Sequence, residues 1–473
     1  MTAAMHQLVA IIFAIGFNFR SHIGAVFINP MAIFENRLTH DDRPAMLGDL
    51  FRSRKSIMTS ANTSSEQKPA PDSRAVPAAV KPRSDLRVIA TIGVAHFYSH
   101  LFILLLPPLF PLIRDDLQVS YLELGLILTG FAVTSAVAQL PIGFLVDRFG
   151  ARKILIIGLV VESLCFVLMG FYSEYWVLFA AYLVAGVANG VYHPADYAIL
   201  SASVRPERMG RAFSLHTFSG YLGFAVAPFT IILLAENFGW QAGLAIIGGS
   251  GLLAALALIY YRDYLREERK PPANADKKAD AQAAWQLLTS APVLICFAFF
   301  AMLALLSSGI NNFSVASLNL LYGIDLVVAN TALTVYLSFT AAGILVGGYI
   351  ADRTQRHNVV AAGCFLVTAS LMFVIATVPL PSMLLITIFA IQGAMHGLIM
   401  PSRDMIVRSV TPEGSMGKVF GFVSTGLNVG SVIGPIIYAY LLDIGEPRVV
   451  FFVISGLMLV SMTTVFTSVK TQR

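Results

Sequence analysis

His96 and His100 stand four residues apart, which puts two imidazoles on one face of a helix. His193 and Asp196 are three apart with Pro194 between them, and Arg403 directly precedes Asp404, one turn-pair beyond His396. Asn311 and Asn312 follow Ser307 and Ser308. An imidazole one turn from a carboxylate can pass protons. A guanidinium beside a carboxylate can hold an anion or exchange partners, and paired amides can bind a polar solute. All of these groups lie inside long apolar runs, where ionisable side chains are costly and normally face a bundle interior or a water-filled path. The elements that carry them therefore decide what chemistry is open to them.

The chain has 473 residues, 56% hydrophobic and only 12% charged, against about 25% charged in soluble domains. Twelve apolar runs are long enough to span a bilayer, at about 86–113, 119–146, 154–171, 175–201, 211–234, 240–261, 291–316, 326–351, 358–378, 382–407, 417–441 and 447–468. Continuous rather than alternating apolarity makes them helices, since lipid leaves no other partner for the backbone. The fold class expected is an all-α membrane protein, and the lipid bilayer is its first partner. Lys and Arg gather before run 1 and after the even-numbered runs, for example Arg148, Arg152 and Lys153 or Arg262, Arg266 and Arg269. The opposite connections hold only Arg114 and Arg448. This bias places both termini in the cytoplasm and predicts a multi-pass protein of the plasma membrane. It also accounts for the net charge of +5 without a nucleic-acid partner. Trp176 and Trp240, at the outer ends of runs 4 and 6, suit an aromatic belt.

Cys165, Cys296 and Cys364 lie inside runs with no CxxC-type spacing, so they read as small apolar packing residues. No nucleophile–base motif, P-loop or dinucleotide fingerprint is present. The chain is expected to be neither an enzyme nor driven directly by ATP, and no cofactor or metal is called for. Residues 1–85 read differently. The stretch 59–85 is rich in Pro, Ser and Ala and is expected to be disordered. The apolar segment upstream of it is too short to span and has no basic flank, so a start at Met58 is an alternative reading.

Two halves repeat. Gly143, Asp147 and Arg148 recur as Gly348, Asp352 and Arg353, 205 positions later. Gly210, Gly223 and Pro228 recur as Gly417, Gly430 and Pro435, 207 positions later. The same offset carries His193 and Asp196 onto Met400 and Arg403. The domains predicted are a bundle over 86–261, a cytoplasmic linker over 262–290, a second bundle over 291–468 and a tail over 469–473.

The stretches GFLVDRFGARK and GGYIADRTQRHN resemble the signature loop of the major facilitator superfamily, twice and at matching positions. The run GVYHPADYAILS followed by GRAFSLHTFSGYLGFAVAP is similar to drug-efflux members of the fosmidomycin-resistance type. The resemblance implies two pseudo-symmetric six-helix bundles, alternating access, and secondary transport coupled to protons, with the first helix of each three-helix unit lining the path. It implies a monomer that exports a small organic molecule or drug. Uptake of an organic anion is the alternative, with a channel or membrane enzyme as readings of another class. The path residues expected are His96, His100, His193, Asp196, Asn311, Asn312, His396, Arg403 and Asp404. The gating loops are Gly143, Asp147, Arg148 and Arg152, and Gly348, Asp352 and Arg353. Asp147 and Asp352 are expected to dock on the starts of spans 11 and 5 when the basic face closes. Asp196 is expected to carry the proton, and to pair with Arg403 when that face closes; Asp404 would hold Arg403 when it opens. The span-4 Arg often tied to proton transfer in the family is missing, and Glu162 in span 3 has no assigned partner. Ser120 and Glu123 fit a capping box at the start of span 2.

Overall fold

A computed structural model describes residues 85–205, 208–265, 286–354, 356–412 and 416–470. The extension before Asp85, most of the 262–290 connection, the last three residues and the Asp352 side chain lie outside the described residues. Among the described residues all regular structure is helical. Twelve helices among the described residues are long and apolar enough to cross a membrane: Asp85–Leu117, Tyr121–Gln139, Ala151–Phe171, Tyr175–Ser203, Arg211–Phe238, Trp240–Tyr260, Ala291–Tyr322, Leu326–Ala351, His357–Thr377, Ser382–Ser409, Val419–Asp443 and Pro447–Thr464. They are spans 1 to 12 below.

The sequence repeat is a repeat of packing. A Cβ on Gly186 of span 4 would strike the Phe131 carbonyl of span 2, and a Cβ on Gly393 of span 10 would strike the Tyr336 carbonyl of span 8. Likewise Gly223 of span 5 meets the Phe97 carbonyl of span 1, as Gly430 of span 11 meets the Ala301 carbonyl of span 7. Small residues let backbones approach where lipid provides no hydrophobic drive. The same seams built twice make two pseudo-symmetric six-helix bundles, joined where span 2 packs on span 11 and span 5 on span 8.

Spans 1, 4 and 7 are not regular. Span 1 breaks after Ile103 and resumes through a 3-10 turn at Pro107–Leu109, where two prolines lack donors. Span 4 breaks at Gly190 and Val191 and restarts at Tyr192. The break thus lies about one turn before Pro194. Pro194 cannot donate to the Gly190 carbonyl, so the helix parts there and the proline occupies the first turn of the next segment, where no donor is required. Span 7 contains one π-helical turn, Gly309–Phe313, which holds Asn311 and Asn312.

The halves are bound at the face opposite the basic loops. The Ser120–Glu123 capping box forms, with Glu123 N–H 3.1 Å from Ser120 Oγ and Ser120 N–H 2.7 Å from Glu123 Oε2. Asp443, the last residue of span 11, then accepts from the N–H groups of Tyr121 and Leu122 at 2.8 and 2.7 Å. A carboxylate from one half thereby satisfies two orphan donors at the positive end of a helix in the other. Thr129 Oγ1 donates to the Val432 carbonyl at 3.0 Å, and the Phe110 and Phe313 rings meet at 5.8 Å. At the basic face Asp147 is exposed, and a Cβ on Gly143 or Gly348 would meet nothing within 4 Å. The cross-half hydrogen bonds from Asp443 and Thr129 thus lie towards the face opposite the basic loops.

The three cysteines are free and buried. Trp176 is 73% exposed, as a belt residue should be, but Trp240 is 5% exposed and its Nε1 donates to Asp116 at 3.1 Å. The end of span 1 folds over span 6 there, so Trp240 joins two helices instead of facing lipid.

Candidate functional site

Spans 1, 4 and 5 bring four imidazoles into one cluster. His96 stacks on His216 with ring centroids 3.6 Å apart and planes 17° apart. It meets His100 edge-on at 4.5 Å and His193 at 5.5 Å. His96 Nδ1 lies 2.7 Å from the His216 backbone carbonyl, and His216 Nε2 lies 2.9 Å from Asp196 Oδ2. Asp196 and His216 are fully buried, His100 is half-buried and His193 is exposed. Gly220 of span 5 makes the room: a Cβ there would come within 2.7 Å of His96 Cε1 and 3.0 Å of His100 Cε1.

His216 is the member that sequence reasoning missed. It lies in the quoted FSLHTFSG stretch of span 5, a helix outside the expected polar set. The available signal was the glycine one turn on, Gly220, which leaves space beside a lone histidine.

The break in span 4 explains Glu162. This carboxylate is wholly buried in span 3; Tyr192 Oη donates to Oε2 at 2.7 Å and Asn189 Nδ2 to Oε1 at 3.0 Å. Asn189 ends one helical segment and Tyr192 begins the next, so the break aims both donors at one carboxylate. Gly158 lets span 3 reach the break, since a Cβ there would strike Val191. Among the described residues no cation pairs with Glu162.

The second half is furnished differently. Arg403 Nε donates to Asp404 Oδ1 at 2.9 Å, while its guanidinium lies 4.6 Å from the centre of the Phe300 ring of span 7. Asn312 reaches Ser308 Oγ at 3.4 Å, and Asn311 Oδ1 is buried without a hydrogen-bond partner. His396 lies against Tyr336 at 5.9 Å, and the Tyr336 hydroxyl is also buried and unpartnered. The two halves touch through Tyr221, whose hydroxyl lies 2.9 Å from Met400 Sδ and whose ring is 6.5 Å from His100. Asp196 is held by His216 and Arg403 by Asp404, so the two are not brought together in this arrangement.

Asp147 makes no hydrogen bond or ion pair among the described residues. Arg148 lies over Phe149 at 5.3 Å, Arg353 over Tyr349 at 3.9 Å, and Arg152 Nη1 donates to the Arg262 carbonyl at 3.0 Å.

Two related six-helix halves, bound to each other at one face and carrying buried polar groups inside their spans, define a transporter rather than an enzyme. The family model of the Major Facilitator Superfamily matches residues 92–320 and 297–472, and the chain belongs to that superfamily. It is 21% identical over 412 residues to the fosmidomycin resistance protein of Escherichia coli (strain K12), covering 85% of this chain and 97% of that one. It is 24% identical over 361 residues to the multi-drug resistance efflux pump PmrA of Streptococcus pneumoniae, covering 72% and 85%. Among solved structures, a bacterial homologue of the human lysosomal transporter Spinster, inward-facing and unoccupied, superposes with a TM-score of 0.68 at 13% identity, covering 82% of this chain and 99% of that one.

Proposed function

We propose that the protein exports a small organic molecule across the plasma membrane in exchange for protons, by alternating access, with both termini in the cytoplasm. The observation that carries this reading is the contrast between the two faces. Cross-half bonds from Asp443 close one, while Gly143 and Gly348 stand free at the other. A channel needs no such exclusive pair of gates. Export is supported by relatives named for drug resistance and efflux. In this reading the basic face is cytoplasmic, the substrate enters from it, and the Asp147 and Asp352 loops dock on spans 11 and 5 as it closes.

The proton site we assign is Glu162, in place of Asp196. Asp196 already has a hydrogen-bond partner within its own half, since its Oδ2 lies 2.9 Å from His216 Nε2. Glu162 faces only neutral donors, Tyr192 and Asn189 from span 4, with Tyr182 and Cys165 as its other titratable neighbours. A carboxyl so placed inside a span is the kind of group that proton-driven carriers use. His193, Asn311, Asn312, His396, Arg403 and Asp404 line the path between the halves, and the Arg403 guanidinium suits a substrate with an anionic group. The remaining candidates serve as gate or positioning groups.

Proteoliposomes with an imposed pH gradient and a panel of drugs and organic acids test this. Accumulation against the substrate gradient, opposite in direction to proton flow, is expected. Co-directional movement would instead favour uptake of an organic anion, and flux indifferent to the counter-gradient would mean a channel.

A further inference from the structure

The hydrogen bonds of the imidazole cluster dictate where its lone pairs are. A carbonyl only accepts, so the 2.7 Å contact between His96 Nδ1 and the His216 carbonyl requires the proton on Nδ1. His96 Nε2 then carries a lone pair, and that atom is buried with no hydrogen-bond partner. His100 Nδ1 is buried and unpartnered too. One donor nitrogen from each of His96, His100 and His193 falls within 4.8 Å of the others. His100 and His193 can each present a lone pair there in one of their two tautomers, and lone pairs so converged repel one another unless a cation lies between them.

The surroundings match what metal-binding imidazoles have. Such a ring is usually oriented through its far nitrogen by a carbonyl or carboxylate. Here the His216 carbonyl does this for His96, and Asp196 holds His216, whose ring stacks on the His96 ring at 3.6 Å. His96 and His100 also provide the one-turn helical spacing that places two nitrogens on one side of a metal.

We propose that His96, His100 and His193 bind one divalent transition-metal ion of the Zn2+, Co2+ or Ni2+ type, with the remaining coordination position turned towards the space between the halves. Three imidazoles without an oxygen donor favour these borderline ions over Mg2+ or Ca2+. Bonds of about 2.0–2.1 Å in a tetrahedron need nitrogens about 3.3 Å apart, so the rings must swing inward by roughly 1 Å. His193, exposed on one side, and His100, half-buried, have that freedom. A second set, His96, Asp196 and His216, shares His96 and also converges within 4.8 Å. Its His216 Nε2 already lies 2.9 Å from Asp196 Oδ2 and all three of its residues are buried, so this second set has no entrance. The open side of His193 gives the first set its entrance. The site is independent of the direction and coupling of transport.

The full chain, purified without a polyhistidine tag and placed in lipid nanodiscs, is titrated with Co2+ and followed by its visible ligand-field absorption. A band that saturates at one equivalent and is displaced by Zn2+ is expected. Affinity should fall by at least about 100-fold in His96→Ala and in His193→Ala, and remain unchanged in His357→Ala, a histidine remote from the cluster. The exposed position of His193 makes His193→Ala the variant least prone to misfolding. Absence of saturable Co2+ or Zn2+ binding to the unaltered chain overturns the proposal. So does binding that survives both cluster substitutions, or that depends on Asp196 but not on His193.

Discussion

Span 4 and span 10 carry matched prolines, Pro194 and Pro401, yet span 4 breaks at Gly190 and span 10 runs unbroken from Ser382 to Ser409. The difference extends through both halves. In the first, the break points Asn189 and Tyr192 at Glu162, and imidazoles collect around His96. In the second, the matched region carries a guanidinium, Arg403, held by Asp404. One scaffold built twice thus carries imidazoles and buried carboxyls in one half and a guanidinium in the other. The ends differ as well. Span 8 is capped by its own Asp325, which accepts from Val327 N–H at 2.8 Å, whereas span 2 takes Asp443 from the opposite half. Only the second arrangement links stability to the closed face. Duplication supplies the frame, and divergence at matched positions supplies the asymmetry a directional cycle needs.

The contrast can be broken most severely at Asp196. Asp196→Arg removes the partner of His216 and buries a cation beside it, at a cost of about 3–5 kcal/mol. Adding Arg403→Asp is expected to restore neither thermal stability nor transport, because Asp196 belongs to its own half. Recovery in the double variant would reinstate a cross-half pair on closure. Next in size is Glu162→Gln. Gradient-driven accumulation should drop by about two orders of magnitude, the scale of losing one positioned proton-transfer group. Substrate exchange without a gradient should persist, and normal uphill transport would remove Glu162 from the proton path.

Asp443→Asn sharpens the comparison of the ends. It weakens two charge-assisted bonds worth about 1.5–3 kcal/mol each, and cysteines placed near Leu122 should become more accessible to a membrane-impermeant thiol reagent. Unchanged labelling would show that the cap does not govern the closed face. Asp325→Asn is expected to be the mildest change. Asn also caps helices well, so melting should shift by a degree or two, with labelling at Leu122 unaltered. A labelling change equal to that of Asp443→Asn would erase the distinction between the two caps.

Much of this was legible from composition and spacing. Twelve continuous apolar runs admit only helices in lipid, and the 205- and 207-residue offsets recur as matched glycine–carbonyl seams at Gly186 and Gly393. The Ser120–Glu123 capping box is local, so four consecutive residues specify it. Asp443 was not legible, because its partners lie more than three hundred residues away at the start of span 2. Trp240 was misread for a related reason: position along a span indicates depth in the bilayer, but burial depends on which helix end folds across it. The sequence by itself determined the number of helices, their duplication and the depth of each polar group, since these follow from hydrophobicity and period along one chain. Tertiary structure alone decided that His216 completes the cluster, that Glu162 meets Tyr192 and Asn189, and that Asp196 meets His216. A helical period states which residues share a face, and only packing states what that face meets.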